Sequence, residues 1–278
     1  MSLKKSIFLT LSLSVVTTIN AGTIEEGIFK SSLLNQEFKY LAYIPDSKPE
    51  KVLYMLHGAG GAETDWVVKG GIKETADALM PKGKLDNYLI VMPTIGAHSW
   101  YVDSDETKTE QAIVNELIPY IEDKYNITPE RKNRAVAGLS MGGYGALNLA
   151  LSHSKLFCAA GIISPAIYDP LPPETSAARK APPFLKDGEF SEEAWTQTLY
   201  KARLDNYRQN NLVTPMFIAS GDEDFLNIVN AAGQLYWELN TTQPKDVEYR
   251  VIDGDHDWLT FRQLSLPALD FINEKCKG

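Results

Sequence analysis

Six short apolar runs recur along this chain with helical patterns between them, and that alternation limits the possible folds more than any other feature. The runs lie at 52–56, 89–92, 135–137, 160–163, 216–219 and 247–252. The helical patterns lie at 71–80, 110–125, 141–152, 227–239 and 266–275. Strands that read as continuous apolar runs are buried on both faces, and strands alternating with helices predict a mostly parallel sheet with helices on both sides, an α/β fold. Ahead of them, 27–31 and 36–44 alternate apolar with polar residues and predict an antiparallel strand pair. One stretch breaks the rhythm. Residues 168–211 form a connection far longer than usual, rich in proline at Pro170, Pro172, Pro173, Pro182 and Pro183, then helical around 192–207. It is either a cap over the catalytic end of the sheet or an insertion that braces the fold. The cap is favoured, because long loops in such folds gather at the catalytic end.

The first residues differ from the rest. Lys4 and Lys5 precede an apolar run over 6–16 and a small-residue end at Ala21. This order predicts a secretory leader over 1–21, hence export to a periplasm or the medium, followed by a single domain over 22–278. The apolar run is too short to span a bilayer, and no other segment could do so. The chain carries a net charge of −9, and both leader lysines lie outside the expected domain, which is more acidic still. Such a field does not attract nucleic acid or anionic lipid, and it suits a neutral or cationic substrate. Two cysteines remain, Cys158 before a predicted strand and Cys276 at the end of the last helix. Export permits a bridge between them without requiring one.

The sharpest chemical signal is Gly138-Leu139-Ser140-Met141-Gly142, placed after the apolar run at 135–137 and before the helix at 141–152. The pentapeptide alone is weak. Its strand-before, helix-after context predicts a tight turn that lifts the serine oxygen above the sheet, with glycines removing bulk on either side. The helix start beneath it favours developing negative charge. A nucleophilic serine needs a base, which in this topology follows it in the chain. Of His57, His98, His153 and His256, only the last two follow Ser140. His153 ends the helix that Ser140 begins, about 18 Å away at ~1.5 Å per residue. His256, in Asp253-Gly254-Asp255-His256-Asp257-Trp258 after the last strand, is therefore the candidate base. The acid is expected in Ser220-Gly221-Asp222-Glu223-Asp224-Phe225. Asp224, beside apolar Phe225, fits a partly buried partner for imidazole, with Asp222 as the alternative. The remaining acids there, and those at 103–106 and 253–257, read as solvated turn residues without the full spacing of a calcium loop. The glycine-rich turn Leu56-His57-Gly58-Ala59-Gly60-Gly61 can bring an N–H to a substrate oxygen, so the Ala59 and Met141 N–H groups are the candidate oxyanion hole.

Together these residues resemble the esterase D-like branch of the α/β-hydrolases, which includes feruloyl and acetyl-xylan esterases, S-formylglutathione hydrolases and mycolyltransferases. The likeness covers roughly 34–273 and is carried by the 56–61 turn with Asp65-Trp66, by Gly138 to Gly143, and by Glu116-Leu117-Ile118-Pro119-Tyr120-Ile121. Gly221-x-x-Asp224 and Gly254-x-His256-Asp257-Trp258 complete it. The resemblance implies Asp224 as the acid and Ala59 as an oxyanion donor. It also implies a substrate cleft near Trp66 and His98-Ser99-Trp100-Tyr101. The Trp100–Tyr101 pair could stack on a sugar or phenyl ring, or be ordinary rim packing. The expected chemistry is hydrolysis of a small-molecule or carbohydrate ester through an acyl-enzyme, with no metal or organic cofactor. Acyl transfer to an alcohol and a non-catalytic binding protein on the same scaffold are the alternatives.

Overall fold

The computed structural model describes residues 21–277, so the expected leader lies outside the described residues except for Ala21. The strands are β1 (Thr23–Ser31), β2 (Gln36–Ile44), β3 (Lys51–Leu56), β4 (Tyr88–Pro93), β5 (Arg134–Leu139), β6 (Ala159–Ile163), the short pair β7 (Leu185–Lys186) and β8 (Glu189–Phe190), β9 (Met216–Gly221) and β10 (Val247–Ile252). The helices are α1 (Asp65–Val68), α2 (Ile72–Leu79), α3 (Thr109–Ala112), α4 (Ile118–Tyr125), α5 (Met141–Ser152), α6 (Glu192–Thr198), α7 (Lys201–Gln209), α8 (Ile228–Asn240) and α9 (Trp258–Lys275).

Eight strands form one sheet in the order β1-β2-β4-β3-β5-β6-β9-β10. β1 pairs antiparallel with β2, and β2 with β4; every other pairing is parallel. This is the mixed α/β-hydrolase sheet expected from the sequence. The pleat sorts its side chains into two layers. Along β3, Val52, Tyr54 and Leu56 enter the core under α5 and α8, while Leu53 and Met55 face α2 and α9.

α5 explains the long 168–211 connection. Every residue of α5 from Met141 to Leu151 is buried, so the helix is apolar all round and its outer face needs a second layer. α6 and α7 supply that layer. Trp195 packs at 5.5 Å from Tyr144 and 4.9 Å from Phe184, and Asn148 Nδ2 donates to the Thr198 carbonyl. Only the first part of the connection, Tyr168 with Thr175, Ser176 and Ala177, reaches the cleft at the end of the sheet.

Two other details anchor the elements around β5. Arg134 at its start is buried against the equally buried Glu122 of α4, with Nε donating at 2.6 Å. Burial pushes the Glu122 carboxyl up despite this partner. A π-helical turn at Ile113–Leu117 joins α3 to α4, just ahead of Pro119, which has no N–H for the turn behind it. Glu116 on that turn accepts the Ser32 and Leu33 N–H groups at 3.1 Å and so closes the β1–β2 turn.

Besides the π turn within the expected 110–125 helix and a first strand that begins at Thr23, the structure differs from the sequence reading as follows. α1 is a four-residue helix with no periodic signal. α9 begins at Trp258, well before the expected 266, because the Asp257 carboxylate caps it by accepting the Thr260 N–H at 2.9 Å. The 168–211 stretch also holds the two-residue β7–β8 pair.

Cys158 and Cys276 are bridged, with Cα atoms 5.2 Å apart. Cys158 stands before β6 and Cys276 after α9, so the bridge ties the last helix to the N-terminal edge of the parallel strands, opposite Ser140. The closed loop spans 118 residues. Loops of this size are stabilised by about 2–4 kcal/mol in practice. The Cys158→Ala/Cys276→Ala double variant is therefore expected to melt roughly 5–15 °C lower by calorimetry, with kcat/KM at 25 °C within about twofold of wild type.

Candidate active site

The C-terminal ends of β3, β5, β9 and β10 converge on one cleft. Ser140 stands at the β5–α5 junction with φ 53° and ψ −117°, a conformation that a residue with a Cβ rarely takes. The turn is held on all sides. The Ser140 N–H donates to the Ile163 carbonyl at 3.0 Å, and its own carbonyl accepts from Tyr144 and Ala166. The flanking glycines are needed for close approach: a Cβ on Gly138 would stand 2.2 Å from the Gly142 carbonyl oxygen, and one on Gly142 would stand 2.3 Å from the Leu56 oxygen. Strand β5, helix α5 and the end of β3 thus touch backbone to backbone around the serine.

His256 Nε2 is 3.0 Å from Ser140 Oγ, and its Nδ1 is 2.7 Å from Asp224 Oδ2. The Asp224 side chain is wholly buried, and its other oxygen accepts the Leu226 N–H at 3.0 Å. The imidazole is bounded by the edges of Phe225 at 6.0 Å and Phe261 at 5.1 Å. The other histidines lie elsewhere. His153 pairs with Glu110 at 2.9 Å at the far end of α5. His57 is buried under the glycine-rich turn, and burial pushes its pKa down.

The neighbouring acids are exposed, as expected of turn residues, and two of them also bond the loops together. Asp222 accepts the Gly254 N–H at 3.1 Å, and Asp255 accepts the Phe225 N–H at 3.0 Å and the His256 N–H at 2.6 Å. The Glu223 N–H donates to the Gly254 carbonyl. These bonds lace the β9 loop to the β10 loop and fix the separation of Asp224 and His256. Asp103, in the other acidic turn, accepts the Gln111 N–H and side-chain amide.

The cleft encloses about 340 Å³. Ala59 and the adjoining glycines line it, and α5 begins at Met141, whose N–H precedes any intrahelical acceptor. Of the four expected substrate contacts, only Trp100 lines the cleft. It and Tyr101 both take left-handed backbone angles. Tyr101 is fully buried and donates to the His57 carbonyl at 3.1 Å, so it supports the glycine-rich turn and no aromatic pair is presented to a substrate. Trp66 is buried as well, donating to the Leu56 carbonyl and packing edge-on against Trp258. His98 is exposed beside Gly60, outside the lining. The sequence reading missed the lining residues Asp65, Lys69, Tyr168, Phe225, Trp258 and Phe261. Several of them stand within the motifs quoted above, but nothing local shows that they face the cleft. Burial pushes the Tyr168 phenol up to about 12, so it stays neutral in the cleft wall.

Residues 31–271 match the Esterase family model. An acetyl esterase of Caldicellulosiruptor saccharolyticus is 28% identical over 268 residues, covering 88% of this chain and 96% of that enzyme. An endo-1,4-beta-xylanase/feruloyl esterase of Xylanibacter ruminicola is 31% identical over 165 residues, 55% of this chain and 23% of that protein. The structure of a ferulic acid esterase superposes with a TM-score of 0.77 at 27% identity, covering 92% of this chain and 98% of that one. These matches bear out the resemblance drawn from the motifs. The chain belongs to the Esterase family and is a serine-hydrolase-type α/β-hydrolase active on ester substrates.

Proposed function

We propose that this esterase is exported and releases small or hydroxycinnamoyl acyl groups from carbohydrate hydroxyls, with Ser140 as nucleophile. The observation that carries the reading is the chain of contacts Ser140–His256–Asp224 opening into the cleft. His256 Nε2 takes the Ser140 proton as Oγ attacks the carbonyl carbon. Asp224 holds the Nδ1–H tautomer and stabilises the imidazolium. The Ala59 and Met141 N–H groups receive the oxyanion, each such donor worth on the order of 3 kcal/mol in the transition state. The imidazolium then gives its proton to the departing alcohol, and water activated by His256 releases the acid and frees Ser140.

The alcohol leaves from the side of His256, where Phe225 and Trp258 stand. The acyl group then faces Trp100, Ala166 and Tyr168, with 175–177 as the cap over it. The carbohydrate-ester reading is supported by the acetyl esterase and xylanase/feruloyl esterase relatives. Export is supported by the basic-then-apolar start of the sequence and by the Cys158–Cys276 bridge, which suits an oxidising compartment. Among the described residues no helix is long and apolar enough to cross a membrane.

Two expectations follow for kinetics. Asp224→Asn keeps the shape but not the tautomer, so kcat on p-nitrophenyl acetate should fall by on the order of 10³–10⁴. Asp222→Asn, which disturbs one loop bond, should cost less than about tenfold; equal losses would contradict the assignment. Across p-nitrophenyl acetate, butyrate and dodecanoate with methyl ferulate alongside, kcat/KM should be highest for acetate or ferulate. A maximum at dodecanoate would point to lipid esters instead.

A further inference from the structure

The wall of the cleft beside Trp258 carries charged groups that the triad does not use. Asp65 lines the cleft yet is only 8% exposed. Its Oδ1 is 2.9 Å from Lys69 Nζ. Gly61 faces that carboxylate so closely that a Cβ there would lie 2.5 Å from Oδ2. Lys69, half exposed, stands 6.0 Å from the centroid of the Trp258 ring and supplies the ammonium in this wall. Trp258 is in turn held edge-on at 5.5 Å by the buried Trp66. Lys69 engages one of the Asp65 oxygens, and a carboxylate can accept further hydrogen bonds. Lys69 spends one of its three donors on Asp65 and has two left.

We propose that Asp65 and Lys69 form a recognition site for the hydroxyls of the alcohol half of the ester, with the Trp258 ring as its apolar floor. Neighbouring hydroxyls of a sugar can donate to Asp65 Oδ2 and accept from Lys69 Nζ, while the C–H face of the pyranose lies on the indole. The position fits this role, since the alcohol departs beside His256, two residues before Trp258 in the chain. Acetate carries no hydroxyl, so with an acetyl ester the site acts on the leaving group alone. It also gives the cleft a different selectivity on each side: aromatic packing around Trp100 and Tyr168, and paired charge around Asp65.

The inference rests on the carbohydrate-ester reading, and the test separates the two. The substrates are a monoacetylated methyl xyloside, which keeps the hydroxyls beside the ester free, and p-nitrophenyl acetate; they share the acyl group and differ in the alcohol. In Asp65→Asn the ratio of kcat/KM for the xyloside to that for p-nitrophenyl acetate should fall at least tenfold. In Lys69→Met, on an exposed position where misfolding is no concern, it should fall about fivefold, mainly through KM. Equal losses on both substrates would make the pair a structural brace of the glycine-rich turn and overturn the proposal. An unchanged ratio in both variants, with wild type favouring the xyloside, would overturn this inference alone. Wild type that turns over p-nitrophenyl acetate but not the xyloside would overturn the carbohydrate-ester reading and the inference with it.

Discussion

The whole site depends on the backbone turn at Ser140. A residue with a side chain is held at φ 53° and ψ −117°, which costs on the order of 1–3 kcal/mol, and its surroundings must hold it there. They do so by contact and by hydrogen bonding. Gly138 and Gly142 let strand, helix and the end of β3 meet without side chains between them. Bonds from Tyr144 and Ala166 converge on the Ser140 carbonyl. The outcome is a serine oxygen aimed off the end of the sheet, with the first N–H groups of α5 beneath it. Enlarging either glycine would separate α5 from β3, and the N–H groups proposed to receive the oxyanion would move with it.

The strand order then determines who can reach the serine. β5 lies between β3, which carries the glycine-rich turn, and β6; β9 and β10 follow on that side and bring Asp224 and His256. Sequence-distant loops would not hold a 2.7 Å contact unaided. The β9 and β10 loops are cross-laced through Asp222, Asp255 and the Gly254 carbonyl, so the acid and base move as one unit. Asp222 and Asp255 in these turns therefore do structural work, each accepting a backbone N–H from the other loop.

Much of this was legible in the sequence because it rests on local rules. Parallel strands buried on both faces show as apolar runs, and the serine turn shows as two glycines between a strand and a helix. His256 emerged by elimination, since only two histidines follow Ser140 and one is a helix length away. What was hidden depends on long-range packing. α1 is too short for a periodic signal. Trp100 and Tyr101 are adjacent and chemically alike, yet one lines the cleft and the other bonds to the His57 carbonyl under the glycine-rich turn. No residue type in that pair announces it. The 168–211 segment read as one insertion, but the all-round apolar α5 recruits its helical part as a second layer and leaves only its start for the cleft. The apolar length of α5 was visible in the sequence, and the need for cover could have been drawn from it.

The central claim is that Ser140 is the activated nucleophile. The most direct measurement is intact-protein and peptide mass spectrometry after treatment with a fluorophosphonate. One adduct is expected, on the peptide carrying Ser140, absent in Ser140→Ala and formed at least about a hundredfold more slowly in His256→Ala. An adduct on another residue, or labelling of Ser140→Ala at the wild-type rate, would contradict the claim.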